Sequence, residues 1–171
     1  MPARTLVPVE EYLHTSYDPD CDYVDGEVLE RNVGEWDHSE LQTAIAAYFF
    51  ALRKKLRIFT VVEQRVQVSR TRFRVPDVCI MAGSRPAEQI LTQPPLVTIE
   101  ILSKDDRVGY MQKKIDDYLA FGVRYVWVID PRTRRAWVYT QEGARESKDG
   151  ILRTENPAIE LPLPEIFSAL E

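Results

Sequence analysis

Two stretches of this chain, LVTIEIL at 96–102 and RYVWVID at 124–130, are apolar at nearly every successive position. A strand with one face in water alternates apolar and polar residues. One that does not alternate is covered on both faces, as inside a layered α/β domain. Between them, Val108, Met111, Ile115, Tyr118 and Leu119 recur at helical spacing, and Gly122 follows as a C-terminal stop, so a helix is expected over about 106–121. Leu41, Ile45, Tyr48, Phe49 and Leu52 predict an earlier long helix from about Asp37 to Lys55. Strands are expected at about 59–69 and 72–82, followed by a loop holding Pro86, Pro94 and Pro95. RRAWVYT should pair with RYVWVID across the Asp130-Pro131 turn, and YVDGEVLER reads as a small hairpin turning at Asp25-Gly26. Short helices are expected at about 8–16 and in LPLPEIFSAL. The fold class is therefore α/β, a mixed β-sheet flanked by helices, and 171 residues predict one domain, 1–171.

Within this pattern two residues are out of place. Asp77 sits among Val75, Val78, Cys79, Ile80 and Met81, and Glu100 among Val97, Thr98, Ile99, Ile101 and Leu102. An ionised carboxylate alone in a protein interior costs several kcal/mol, a large part of the roughly 5–15 kcal/mol that holds a domain together. Each acid must reach water at a strand end, pair with an arginine, or share a cation with the other. Magnesium is commonly held by one or two carboxylates, with waters and phosphate oxygens completing its shell.

The net charge of −5 opposes indiscriminate nucleic-acid binding. Local basic clusters exist at Arg53, Lys54, Lys55 and Arg57, where cations suit a helix C-terminus, and at Arg70, Arg72 and Arg74, which alternate along a hairpin tip and could share one face. Either cluster reads as solvated surface or as a phosphate track. Cys21 and Cys79 are too few and too far apart for a disulfide framework or a zinc site. No run approaches the roughly 20 apolar residues of a membrane span. The opening MPARTLVPVEEYL lacks the apolar core of a secretory signal, so a cytoplasmic setting is expected.

Pro76-Asp77, a strand-loop-strand gap, and then Glu100-Ile101-Leu102 resemble the PD-(D/E)XK nuclease pattern. The VEEYL opening, the DYVDGEV hairpin, a helix opened by His38, VPDV, VTIEILS, a Lys-x-x-x-Tyr helix, GVRYVWVIDP and a terminal VY are similar to the Uma-two branch of bacterial endonucleases, over essentially the whole chain. The resemblance implies a restriction-endonuclease-like fold and a nuclease acting on nucleic acid, DNA being the expected substrate. It further implies Mg²⁺ or Mn²⁺ held by Asp77, Glu100 and the main-chain carbonyl of Ile101. The general pattern wants Lys two residues after the Glu, where this chain has Leu102; in the Uma-two branch the lysine comes from the next helix, at the position of Lys114. Lys114 lies about 90° from the centre of that helix's apolar stripe and Lys113 about 170°, so only Lys114 can turn inward. Lys104, on the loop after Glu100, is the other candidate.

His38 lies on the core stripe of its helix, where a hydrogen-bonded core role outweighs a ligand role, though the resemblance sets it beside the site. Asp37 and Glu40 match a capping box. Asp22 and Glu27 flank the hairpin turn as ordinary turn acids, Glu27 also being a candidate for substrate or metal contact through the resemblance. Asp130 suits turn chemistry. The alternative function is a non-cleaving nucleic-acid-binding or protein-interaction module on the same fold. A homodimer is the expected assembly, because cutting both strands of a duplex calls for two sites.

Overall fold

The structure, a computed structural model, describes residues 5–171; the first four positions of the expected 1–171 domain lie outside the described residues. A short helix α1 (Val9–His14) precedes a hairpin of β1 (Asp22–Val24) and β2 (Glu27–Leu29). Its turn residues Asp25 and Gly26 both have positive φ, 51° and 98°, the left-handed twist that a two-residue hairpin demands. Helix α2 (Trp36–Leu56) follows. Next come β3 (Ile58–Val62), β4 (Val66–Ser69), β5 (Arg72–Arg74), β6 (Val78–Ala82) and β7 (Val97–Ile101). Helix α3 (Val108–Phe121) leads to β8 (Tyr125–Asp130), β9 (Arg135–Thr140), β10 (Gly143–Glu146), β11 (Ile151–Thr154), β12 (Ile159–Pro162) and α4 (Leu163–Phe167).

The main sheet has six strands in the order β10-β9-β8-β7-β6-β3, with β7 and β8 parallel and the other neighbours antiparallel. Period-2 alternation sorts its side chains. Val78, Ile80, Val97, Ile99 and Trp127 face Leu41, Ile45 and Phe49 of α2, while Cys79, Met81, Val126 and Val128 face Met111, Ile115 and Tyr118 of α3. The central strands β6, β7 and β8 are buried on both faces, as the unbroken apolar runs require. Gly122 caps α3 at φ 110°, with its N–H bonded to Tyr118 and Leu119 carbonyls.

The expected hairpin of 59–69 with 72–82 is in fact four strands in two sheets. β3 pairs with β6 in the main sheet, whereas β4 and β5 join the first hairpin in a second sheet ordered β2-β1-β5-β4. The chain leaves the main sheet at Glu63, which has a positive φ of 51°, and returns after Pro76. Proline has no N–H to give a ladder, so pairing stops there. Asp77 consequently stands at the crossing between two sheets and not within a continuous strand. The small sheet is held by Tyr12, Tyr23 and Phe73 packed together, and the Tyr12 hydroxyl donates to the Cys21 carbonyl at 2.9 Å.

The expected capping box is absent. α2 starts at Trp36, with Glu35 as N-cap and no side-chain cap bond, so Asp37 already lies inside the first turn. Glu40 instead accepts from the Trp36 indole N–H at 2.7 Å. Strands β10 to β12 were not anticipated; β10 is an edge strand with little buried surface and no apolar pattern to reveal it.

Candidate active site

Asp77 and Glu100 meet because of register. Val78 pairs with Ile99 across β6 and β7, so one further step sets Asp77 opposite Glu100. The Ile101 N–H donates to Asp77 Oδ2 at 2.7 Å, tying the crossing segment to β7. Glu100 points toward α3 because its neighbours Ile99 and Ile101 belong to the α2 side. There Lys114 and Tyr118, one helical turn apart, reach the same carboxylate: Lys114 Nζ donates to Oε2 at 2.9 Å and the Tyr118 hydroxyl to Oε1 at 2.7 Å. Lys114 is 3% exposed and Lys113 is exposed, as the helical geometry predicts. Lys104 is an exposed loop residue whose main-chain N–H donates to Glu35, and it does not line the cleft described below.

From the opposite face, α2 holds Asp77 with residues also four apart. His38 Nε2 lies 3.2 Å from Asp77 Oδ2, and Gln42 donates to the Asp77 main-chain carbonyl at 2.9 Å. His38 is thus both buried and next to the site, its partner being a carboxylate. Sequence reasoning missed Arg31, which donates from Nη2 to Asp77 Oδ1 at 2.8 Å. Its position in a polar loop, eight residues after Tyr23, carries no periodic signal.

The expectation for Asp22 is overturned. It is no turn acid: it is fully buried, accepts from the Val75 N–H at 2.8 Å and from Arg74 Nη1 at 3.1 Å, and is bonded by the Tyr110 hydroxyl. Lys114 Nζ lies 3.9 Å from Asp22 and donates to the Val75 carbonyl at 3.1 Å. Arg74 and Arg72 also pair with Asp117, and Arg72 with Asp25, so these two arginines are spent on ion pairs and form no basic stripe with Arg70. Glu27, half-buried on β2, is not among the residues that line the cleft.

These groups floor a cleft of about 660 Å³ lined by Arg31, His38, Asp77, Glu100, Tyr110 and Lys114, among others. A larger groove of about 780 Å³ runs past β9 and β10, but its charged residues Arg124, Glu142, Arg145, Arg153 and Glu155 are all exposed. Exposed charges keep their water, and perturbed buried groups are what mark a functional cleft, so volume alone does not single out this groove. Burial pushes Glu100 up to about 7, helped by the Asp77 charge and opposed by Lys114 and Tyr118. Burial also pushes Asp77 up, but the hydrogen bond and charge of His38, with Lys114 and Arg31, outweigh it and hold the carboxyl below its usual range. Burial pulls His38 down, yet Asp77 prevails and raises it. Two adjacent carboxyls are thereby split, one firmly ionised and one poised near neutrality, the separation of roles seen in acid–base sites.

The two acids are compensated differently: Asp77 is paired with an arginine, Glu100 with a lysine. Among the described residues no three of His, Cys, Asp and Glu gather as a metal cluster. An ionised carboxylate offers about four acceptor positions; the contacts above occupy three on Asp77 and two on Glu100, leaving both with room for a further partner. Two hard oxygen donors with spare capacity match in kind what Mg²⁺ takes from a protein.

Among curated proteins none matches this chain. A solved structure from Anabaena variabilis ATCC 29413, titled as "a putative nuclease belonging to DUF820", is 24% identical and superposes with a TM-score of 0.83 over 96% of this chain and 100% of that one. That likeness establishes the fold. The model of the family Uma2, described as "Putative restriction endonuclease", matches residues 9–171. The chain belongs to the Uma2 family, on a restriction-endonuclease-like mixed α/β fold.

Proposed function

We propose that this protein is a metal-dependent nuclease that hydrolyses phosphodiester bonds, with DNA as its substrate, and that Asp77, Glu100 and Lys114 carry the reaction. The observation that carries the reading is the convergence of two buried carboxylates from different segments, and a buried lysine from a third, on the floor of one cleft. Asp77, Glu100 and the Ile101 carbonyl are the groups offered to Mg²⁺ or Mn²⁺. A bound ion supplies Lewis acidity to the phosphate and a more acidic water. Asp77, kept ionised by His38 and Arg31, is ready to accept a cation at neutral pH. Glu100 must lose its proton to do so, and its raised pKa makes cation binding release protons near neutrality. Lys114 contributes fixed positive charge where charge builds on the phosphate oxygens.

The pairing of Asp77 with Arg31 favours a second reading, a nucleic-acid-binding module that retains the fold without cutting, because the carboxylate is already compensated. Cleavage decides between them. Supercoiled plasmid is incubated with and without Mg²⁺ or Mn²⁺, comparing the parent with Asp77→Ala and, to keep side-chain size, Asp77→Asn. Metal-dependent nicking by the parent and none by either folded variant is expected. Equal nicking by parent and variants removes the assignment.

A further inference from the structure

We infer that Arg31 is a phosphate-binding residue of this cleft, taking a non-bridging oxygen of a bound nucleic-acid strand. The identity of the anion rests on the nuclease reading above. Arg31 follows β2, and its side chain is 5% exposed. A guanidinium presents its N–H groups as a rigid planar fork. One prong is used: Nη2 donates to Asp77 Oδ1 at 2.8 Å. The other is not. Nη1 is buried without a hydrogen-bond partner among the described residues; Glu63 Oε1, 3.9 Å away, is within ion-pair reach but too far to accept a hydrogen bond.

Buried polar groups in native proteins are almost always bonded, and a vacant one asks for a reason. The same side chain lines the cleft with Glu100 and Lys114. A half-used fork beside the proposed reaction site is completed by a phosphate oxygen, an acceptor that suits guanidinium geometry as a carboxylate does. The platform is also fixed. Asn32 donates to Asp106 Oδ1 at 2.7 Å and the Lys104 N–H donates to Glu35 at 3.2 Å, which ties the segment carrying Arg31 to the loop before α3. Arg31 therefore does more than neutralise Asp77: it links that carboxylate to the substrate's charge, so strand binding and the state of Asp77 are coupled.

The competing account, a counter-charge only, is separated by removing the carboxylate's charge first. Asp77→Asn is compared with the double variant Asp77→Asn/Arg31→Gln, neither of which leaves a buried carboxylate without its cation. Binding of a labelled single-stranded DNA, and of the same sequence as a duplex, is followed by fluorescence anisotropy in EDTA across a salt series. The double variant is expected to bind about tenfold more weakly at low salt, with its log–log salt slope reduced by about 0.7 for the single strand or about 0.9 for the duplex, one phosphate contact. Arg31→Lys in the otherwise unchanged chain keeps the charge and loses the fork; a loss of about threefold with the slope retained is expected if one prong's geometry matters. Equal affinity and slope for Asp77→Asn and the double variant overturns the inference, as does a parent that binds neither DNA. A parent that binds through Arg31 yet never cuts would instead remove the nuclease reading and leave this one standing.

Discussion

Glu100→Gln tests the electrostatics of the site without reference to catalysis. The carboxyl is 2% exposed, and burial, then the neighbouring Asp77 charge, raises it from 4.5 to about 7. Its folded form holds a proton more tightly than its unfolded form, so stability from this group is full below pH 4.5 and is lost as pH rises through 7. That rise, at about 1.36 kcal/mol for each pH unit, amounts to about 3 kcal/mol. Gln keeps the size and an acceptor for Tyr118 or Lys114 but does not titrate. Asp77 is held low, so its own contribution disappears only on acidification below about pH 4, outside the window. His38, raised above 6.5 mainly by Asp77, also loses stability as pH rises; most of that loss is common to both proteins, because the Glu100 charge is the smallest of the influences that raise it. Urea unfolding of parent and variant at pH 5, 6, 7 and 8 gives the difference directly. The parent's advantage over the variant should shrink by about 2–3 kcal/mol across the series, with equal m-values. A difference constant to within roughly 0.5 kcal/mol would refute the reasoning, because it would mean that Glu100 titrates as an ordinary surface acid.

Asp22→Asn should lower stability by about 3–5 kcal/mol, read from the urea midpoint, since it leaves Arg74 buried with one anion fewer and sets an amide against its donors; a loss under about 1 kcal/mol would show that Arg74 relaxes onto Asp117 at little cost. Gly122→Ala should cost about 1–2 kcal/mol in a thermal melt, because φ 110° is strained for any side chain. Space is not the reason: the nearest atom to the added carbon would be Pro94 Cγ at 3.5 Å, an ordinary contact.

The unbroken apolar runs around Glu100 and Trp127 were enough to announce a two-sided sheet, since no other arrangement hides both faces of a strand. The Asp25-Gly26 turn and the Gly122 stop were equally legible, each being a backbone conformation that few residues tolerate. The burial of Lys114 against Lys113 followed from helical angle alone. By contrast, the break at Pro76 was visible in the sequence and still misjudged. A proline says that pairing stops but not which sheet receives the chain afterwards. The capping box failed because the N-cap is Glu35, two positions before Asp37, and Glu40 accepts from the Trp36 indole instead.

What the sequence determined by itself were properties that depend on neighbours a few positions apart: the layering, the turns, the inward face of α3 and the oddity of two acids among apolar residues. What only the tertiary structure decided was who compensates those acids. Arg31 reaches Asp77 across 46 positions, and Arg74 reaches Asp22 across 52. Such contacts are set by how two sheets and two helices pack, and charge pairing over that range leaves no periodic trace in a chain.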